Sequence, residues 1–286
     1  MKFIHIADTH LGAHPNAGKA YSDLRGEELW NSLSDVLHIC ETEEIELLLI
    51  AGDMFHRQPL LRELKELNYL FSKLSKTKVV FIVGNHDYMK SDSYYLDFQW
   101  SENVFPLLSA SGEVKEWKDL DVCVYGLSYH QREITEGLYD DWNPADSSCT
   151  YHILLAHGGD EKHIPIKTSQ LISEKWDYIA LGHLHKYQKL GADHIIYAGA
   201  LEPIDKNDTG MHGYVLGELT QEGLKTRFVP CAKREYVHME LQVHDHMTRG
   251  EVKAKLKDSI EERGVQNLYK VSLKGFRDPD IHMETR

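Results

Sequence analysis

Lys78-Val79-Val80-Phe81-Ile82-Val83-Gly84-Asn85-His86-Asp87 is an apolar, β-branched run followed at once by a glycine and three short polar side chains. The run reads as a buried strand. The glycine permits a sharp turn where the strand ends. In an open α/β sheet, ligand chemistry gathers beyond the carboxyl ends of the strands. Four other runs in the chain end the same way. Lys2 to Ala7 leads into Asp8-Thr9-His10, and Glu46 to Ala51 into Gly52-Asp53-Met54-Phe55-His56. Tyr151 to Ala156 leads into His157-Gly158-Gly159, and Trp176 to Leu181 into Gly182-His183-Leu184-His185. Five apolar strands therefore deliver Asp, Asn or His at a common end.

Between the first three strands the apolar positions recur at helical spacing. Leu29, Leu33, Val36, Leu37 and Cys40 predict a helix over Glu27 to Glu43, after a loop from Gly12 to Gly26 placed where a loop can border a substrate. Leu60 to Leu74 predicts a second helix. The resulting β-α-β-α-β series is the pattern of an α/β sheet. Glu113 to Trp117 and Asp121 to Ser128 alternate like antiparallel strands. Residues His130 to Cys149 read as a long loop, expected as either a substrate-facing lid or a disordered segment. Tyr94, Tyr95, Phe98 and Trp100 could stack on bases, but core packing is the stronger reading. A small unit from Glu235 reads as strand, helix and strand, and the tail Asp278 to Arg286 as an irregular polar end. The expected division is residues 1–234 as the main domain and 235–286 as the start of a capping domain, truncated from a longer protein.

The chain has 286 residues, 42% of them hydrophobic and 27% charged, as in a globular protein. It lacks a run of about 18 apolar residues and a signal-like start, so a cytoplasmic protein without a membrane span is expected. The formal charge of −13 argues against a basic surface that coats nucleic acid. It does not exclude an enzyme whose metal ions supply the local positive field. Cys40, Cys123, Cys149 and Cys231 form no close pair in sequence and read as scattered thiols of a reducing compartment.

Asp8, His10, Asp53, Asn85, His157, His183 and His185 together suit two divalent cations sharing one carboxylate. Imidazole and carboxylate donors suit manganese, iron or zinc. With both aspartates ionised and the histidines neutral, such a site keeps a charge of about +2, which favours a phosphate ester. Paired ions can clamp both oxygens of an in-line displacement. His5 and His152 lie within strands and read as packing residues. His14, His130 and His163 read as surface loop positions.

This order of motifs resembles the calcineurin-like metallophosphoesterases, and within them the SbcD-type DNA repair nucleases of the SbcCD complex. The resemblance rests on Asp8 to Gly12, Ala51 to His56, Gly84 to Asp87, Gly182 to Lys186 and Tyr197 to Ala200, and runs through most of residues 1–230. Ala200 stands where a serine is commoner, and His157-Gly158-Gly159 replaces a fuller histidine pattern. The resemblance implies a fold of two packed central sheets flanked by helices. It implies that Asp8, His10, Asp53 and His185 hold one ion, and that Asp53, Asn85, His157 and His183 hold the other. His86 would protonate the leaving oxygen or assist the scissile phosphate, with His56 in support. Asp87 would orient His86 or the Asn85 turn, or serve as a plain turn carboxylate. The expected activity is a manganese-dependent DNA exo- or endonuclease acting in break repair. The expected partners are DNA, a coiled-coil ATPase subunit and a second copy of the chain. The rival expectations are a phosphodiesterase for small nucleotides and a noncatalytic binding subunit.

Overall fold

The computed structural model describes residues 1–15, 21–140, 142–144, 149–172 and 175–276. The expectation for the tail Asp278 to Arg286 lies outside the described residues, as do parts of the two long loops.

The first five elements are the expected series: β1 (Lys2–Ile6), α1 (Ser22–Thr42), β2 (Leu47–Ala51), α2 (Leu61–Phe71) and β3 (Lys78–Ile82). β4 (Val104–Pro106), β11 (Gly213–Thr220) and β12 (Gly223–Pro230) complete a six-stranded sheet in the order β12-β11-β1-β2-β3-β4. Its β1, β2, β3 and β4 run parallel. A second six-stranded sheet uses β5 (Glu113–Trp117), β6 (Val122–Gly126), β7 (Tyr151–His157), β8 (Tyr178–Gly182), β9 (Gln188–Lys189) and β10 (Ile195–Tyr197). Its order is β5-β6-β7-β8-β10-β9, with β6, β7, β8 and β10 parallel. The short helix α3 (Thr168–Leu171) sits in the β7–β8 connection.

Strand alternation explains how the layers pack. Ile4, Ile6, Leu48, Ile50, Val79 and Phe81 face α1 and α2. Phe3, Leu47, Leu49, Val80 and Ile82 face Val124, Leu155, Ala180 and Ile196 of the second sheet. Both faces of the first sheet are therefore covered at its centre, which is why β2 and β3 read as apolar runs. At one end the two sheets nearly touch. A Cβ on Gly182 would run into the Ala51 carbonyl and lie 3.0 Å from the Ala7 Cβ. Glycine there lets the carboxyl ends of the two sets of parallel strands face one another.

The last unit is β13 (Tyr236–Val243), α4 (Arg249–Arg263) and β14 (Leu268–Gly275), with its two strands parallel. Thr248 caps α4: its hydroxyl accepts from Glu251 N at 3.3 Å, while Glu251 accepts from Thr248 N at 2.7 Å.

Three expectations are corrected. α1 starts at Ser22, inside the expected Gly12 to Gly26 loop. The periodicity was hidden because Arg25 is a buried core-facing residue. Its guanidinium pairs with buried Glu202 at 3.0 Å and donates to Pro203 O at 2.8 Å. The four cysteines are not all free thiols, because Cys123 and Cys149 form a disulfide. Cys123 lies on β6 and Cys149 just before β7, and the pairing of Val122 with Tyr151 brings the two cysteines together across 26 residues of sequence. The described part of the His130 to Cys149 loop is anchored rather than disordered. Tyr139 is fully buried, and Ile134 bridges to His163.

Among the described residues, no helix is long and apolar enough to cross a membrane.

Candidate metal centre

Strand ends and the turns after them position every candidate side chain. Three backbone bonds join the turn after β1 to the turn after β2: Asp8 N to Gly52 O at 3.1 Å, His10 N to Asp53 O at 3.1 Å, and Leu11 N to Met54 O at 2.9 Å. Within the second sheet, Gly158 N donates to Gly182 O at 3.2 Å, joining the turn after β7 to the end of β8. Asp8, His10, Asp53 and His183 all have positive φ. That conformation is costly for side-chain-bearing residues and concentrates where a site demands it.

The carboxylates are aimed by backbone donors. His86 N donates to Asp53 Oδ1 at 2.8 Å. His183 N donates to both Asp8 oxygens, at 3.1 and 3.0 Å. Asp53 Oδ2 is then free to face two imidazoles, with His157 Nε2 at 3.5 Å and His10 Nε2 at 4.0 Å. That is the position a shared carboxylate requires. On one side of it, Asn85 Oδ1 lies 2.9 Å from His157 Nε2 and 3.1 Å from His183 Nδ1. On the other side, His10 Nε2 lies 3.0 Å from His185 Nε2. Asp8, His10 and His185 form one group with ligand geometry, and Asp8, Asp53 and His157 form another. All seven candidate donors therefore converge, and hard oxygen plus imidazole donors fit divalent ions of the manganese, iron and zinc type. Ions held there would supply Lewis-acid stabilisation to a phosphoryl group.

The electrostatics match a cage built for cations. Burial drives the Asp8 carboxyl up to about 6, and Asp53 adds to the rise. Burial also opposes charge on His157 and His185, yet neighbouring carboxylates prevail and raise each to about 9. For His157 the carboxylate is chiefly Asp53, and for His185 chiefly Asp208. Burial lowers His183 to about 4 and His10 well below the usual histidine range. Asp53 moves the other way: although burial opposes its charge, His157 and His10 hold its carboxyl well below the usual range, and buried groups perturbed in opposite directions mark a functional site.

His86 and His56 lie at the solvent edge of the cluster, within 5.0 Å of each other between ring centroids. The His86 Nδ1–H donates to the His56 carbonyl at 3.1 Å, leaving Nε2 to give or take a proton. His10 Nδ1 approaches His56 Nδ1 at 3.4 Å. Asp87 is fully buried and not aimed at the cluster. It accepts from Gly84 N at 2.9 Å, Phe55 N at 3.2 Å and the Tyr95 hydroxyl at 2.9 Å. It therefore pins the Asn85 turn to the strand end that carries Asp53. Tyr95, one of the four clustered aromatics, is spent on this buried bond, while Phe98 and Trp100 pack on the core.

Three participants were missed in the sequence. Asp160 Oδ2 lies 2.8 Å from His183 Nε2, and Asp208 Oδ2 lies 3.0 Å from His185 Nδ1. His163, expected at a plain surface position, has Nδ1 2.9 Å from Asp160 and its ring 4.6 Å from that of His183. All three lie in polar turns, where no spacing pattern singles them out. The aromatic hydroxyls of Tyr129 and Tyr139 reach the His157 carbonyl at 3.0 and 3.3 Å, fixing that strand end.

Residues 1–187 match the Calcineurin-like phosphoesterase family. The chain belongs to that family. The matched span of this calcineurin-like phosphoesterase carries all ten candidate residues, and the seven candidate donors among them are of the oxygen and imidazole type that holds divalent metals. It is 28% identical over 250 residues to "Uncharacterized metallophosphoesterase YhaO" of Bacillus subtilis, covering 80% of this chain and 60% of that protein. It is 25% identical over 228 residues to "DNA double-strand break repair protein Mre11" of Methanocaldococcus jannaschii, covering 73% of this chain and 58% of that protein. A protein of the same name from Sulfolobus acidocaldarius is 22% identical over 312 residues, covering 99% and 74%. The chain thus spans about three-fifths of the length of the first two relatives.

Proposed function

We propose that this phosphoesterase is a dinuclear, manganese-dependent DNA phosphodiesterase acting on DNA ends in strand-break repair. The observation that carries the reading is a cleft of about 390 Å³ opening beside the cluster, lined by His56, Arg57, Gln58, His86, Tyr88, Lys90 and Arg132. In a protein of charge −13, three cationic side chains meet at the two histidines poised for proton transfer. Arg57 is partly committed to Glu63 at 2.8 Å, while Lys90 lies 5.4 Å from the centroid of the Tyr88 ring. A single phosphate over two ions needs no such extension, whereas a strand with further phosphates does. The Mre11 relatives, named as break-repair proteins, support the same reading. DNA, a coiled-coil ATPase and a second copy of the chain are the partners that go with it.

Linear, hairpin and circular DNA offered with and without Mn²⁺, beside bis-p-nitrophenyl phosphate and cyclic nucleotides, tests the proposal. Manganese-dependent cleavage of DNA that is lost in His86→Ala is the expected result. Rapid turnover of small esters with DNA left intact would instead favour a small-substrate phosphodiesterase.

A further inference from the structure

His183 and His185 are separated only by Leu184, yet they turn opposite ring nitrogens toward the centre. His183 presents Nδ1 to Asn85, and His185 presents Nε2 to His10. Each outer nitrogen meets a carboxylate from a different loop. Asp160, in the turn after β7, meets His183 Nε2 at 2.8 Å, and Asp208, before β11, meets His185 Nδ1 at 3.0 Å. Neither carboxylate is loose. Asp160 Oδ1 accepts from Lys162 N at 2.8 Å and His163 N at 3.0 Å. Asp208 Oδ2 accepts from Ile204 N and Asp205 N, both at 2.9 Å. His157 has an equivalent outer partner in the Ala51 carbonyl, 2.8 Å from its Nδ1.

We propose that Asp160 and Asp208 are paired positioning residues, each accepting the outer N–H of one imidazole so that His183 offers its Nδ1 lone pair to one ion and His185 its Nε2 lone pair to the other. The proposal rests on the two-ion reading above. The physics is that of an imidazole whose tautomer is chosen by the hydrogen bond made on its far side. A carboxylate acceptor also makes the ligating nitrogen more basic, so its loss weakens metal binding by about 10–100-fold. Two ligands so close in sequence would otherwise be free to swap nitrogens, because each ring can rotate. Two carboxylates on separate, backbone-anchored turns remove that freedom independently.

His163 adds a rival geometry. Asp160, His163 and His183 form a group that could itself hold an ion. An ion there would take His183 through Nε2 and leave no proton for Asp160 to accept.

The test is a Mn²⁺ titration followed by the electron paramagnetic resonance of free Mn²⁺, on the wild type and on Asp160→Ala, Asp160→Asn, Asp208→Ala and Asp208→Asn. The wild type is expected to take up two ions. Each alanine variant should weaken one ion about 10–100-fold and spare the other, with the two variants affecting different ions. The asparagine variants, which keep a neutral acceptor, should lie between alanine and wild type. Long-range ¹⁵N spectra of the Zn²⁺-loaded protein should show His183 protonated at Nε2 and His185 at Nδ1. Unchanged affinities in folded variants, or equal weakening of both ions in step with lost thermal stability, would overturn the pairing and leave the two-ion reading standing. A third equivalent of Mn²⁺ abolished by Asp160→Ala, with the other two unchanged, would overturn it in favour of the His163 site. A wild type that binds no Mn²⁺ would sink both.

Discussion

His10 Nε2 and His185 Nε2, 175 residues apart in sequence, face each other at 3.0 Å inside the protein. In the metal-free protein the protonated His185 ring donates across that gap to the neutral His10 ring. A divalent ion would replace that proton and take both lone pairs, and Asp53 Oδ2 lies 4.0 Å from His10 Nε2 to balance its charge.

Loss of the proton donor should separate chemistry from metal binding. His86 is held through Nδ1 by the His56 carbonyl, donates its backbone N–H to Asp53, and sets its ring 4.9 Å from that of His10. His86→Ala is expected to lower turnover by about 10²–10⁴-fold while metal content is retained. Metal analysis beside the rate measurement checks this, and a variant that loses its ions would assign His86 a ligand's role.

Metal uptake should release protons. In the metal-free chain His157 and His185 are each raised to about 9 by nearby carboxylates against the opposing effect of burial. Both are charged at pH 7, and ligation requires both neutral. Calorimetry in buffers of different ionisation enthalpy is expected to show about two protons displaced at pH 7, falling toward none above pH 9. Apparent affinity should rise with pH over the same window and then level off. The same raised values stabilise the metal-free fold, fully below the ordinary histidine pKa, and that contribution is lost as pH rises through about 9. Thermal melts of the metal-free protein should therefore weaken from pH 6.5 to 9.5. Uptake without proton release at pH 7 would contradict this assignment.

The turn at Gly84 should tolerate no side chain. A Cβ there would sit 2.7 Å from both Asp53 N and His157 Nε2. Gly84→Ala is expected to displace the shared carboxylate, costing about 1–3 kcal/mol of stability. Manganese affinity should fall by more than tenfold.

Asp87→Ala should damage the fold before the chemistry. It strands the Gly84 N–H, the Phe55 N–H and the Tyr95 hydroxyl, all buried. About 3 kcal/mol or more of stability should be lost. Tyr95→Phe should cost about 1 kcal/mol. Denaturant melts separate the two, and equal effects would contradict the three-donor arrangement.

The strands and their metal-capable ends were legible because buried parallel strands leave unbroken apolar runs, as at Leu47 to Ala51, and because a motif such as Gly182-His183-Leu184-His185 survives in one short stretch. What could not be read depends on contacts between distant turns. Asp160 and Asp208 sit among other polar loop residues, and only the fold brings them to His183 and His185. Arg25 broke the helical pattern because a charged residue counts against burial until Glu202 is found opposite it. The Cys123–Cys149 pair likewise needs the register of β6 with β7. Asp87 resisted a firm reading for the opposite reason, since its motif position fits orienting and turn roles alike.

The cationic cleft should matter more for DNA than for a small ester. Replacing Lys90 and Arg132 by alanine is expected to lower activity on DNA at least tenfold more than on bis-p-nitrophenyl phosphate. It should also reduce the salt dependence of DNA binding by about one phosphate contact per side chain. Equal losses on both substrates would remove the cleft from strand recognition.

The central claim is that two ions share Asp53. Anomalous diffraction at the manganese edge, on crystals grown with Mn²⁺, tests it most directly. Two peaks about 3.5–4 Å apart on either side of the Asp53 carboxylate, one beside His10 and His185 and the other beside Asn85, His157 and His183, are the expected result. A single peak, or a pair that leaves Asp53 unbound, would contradict it.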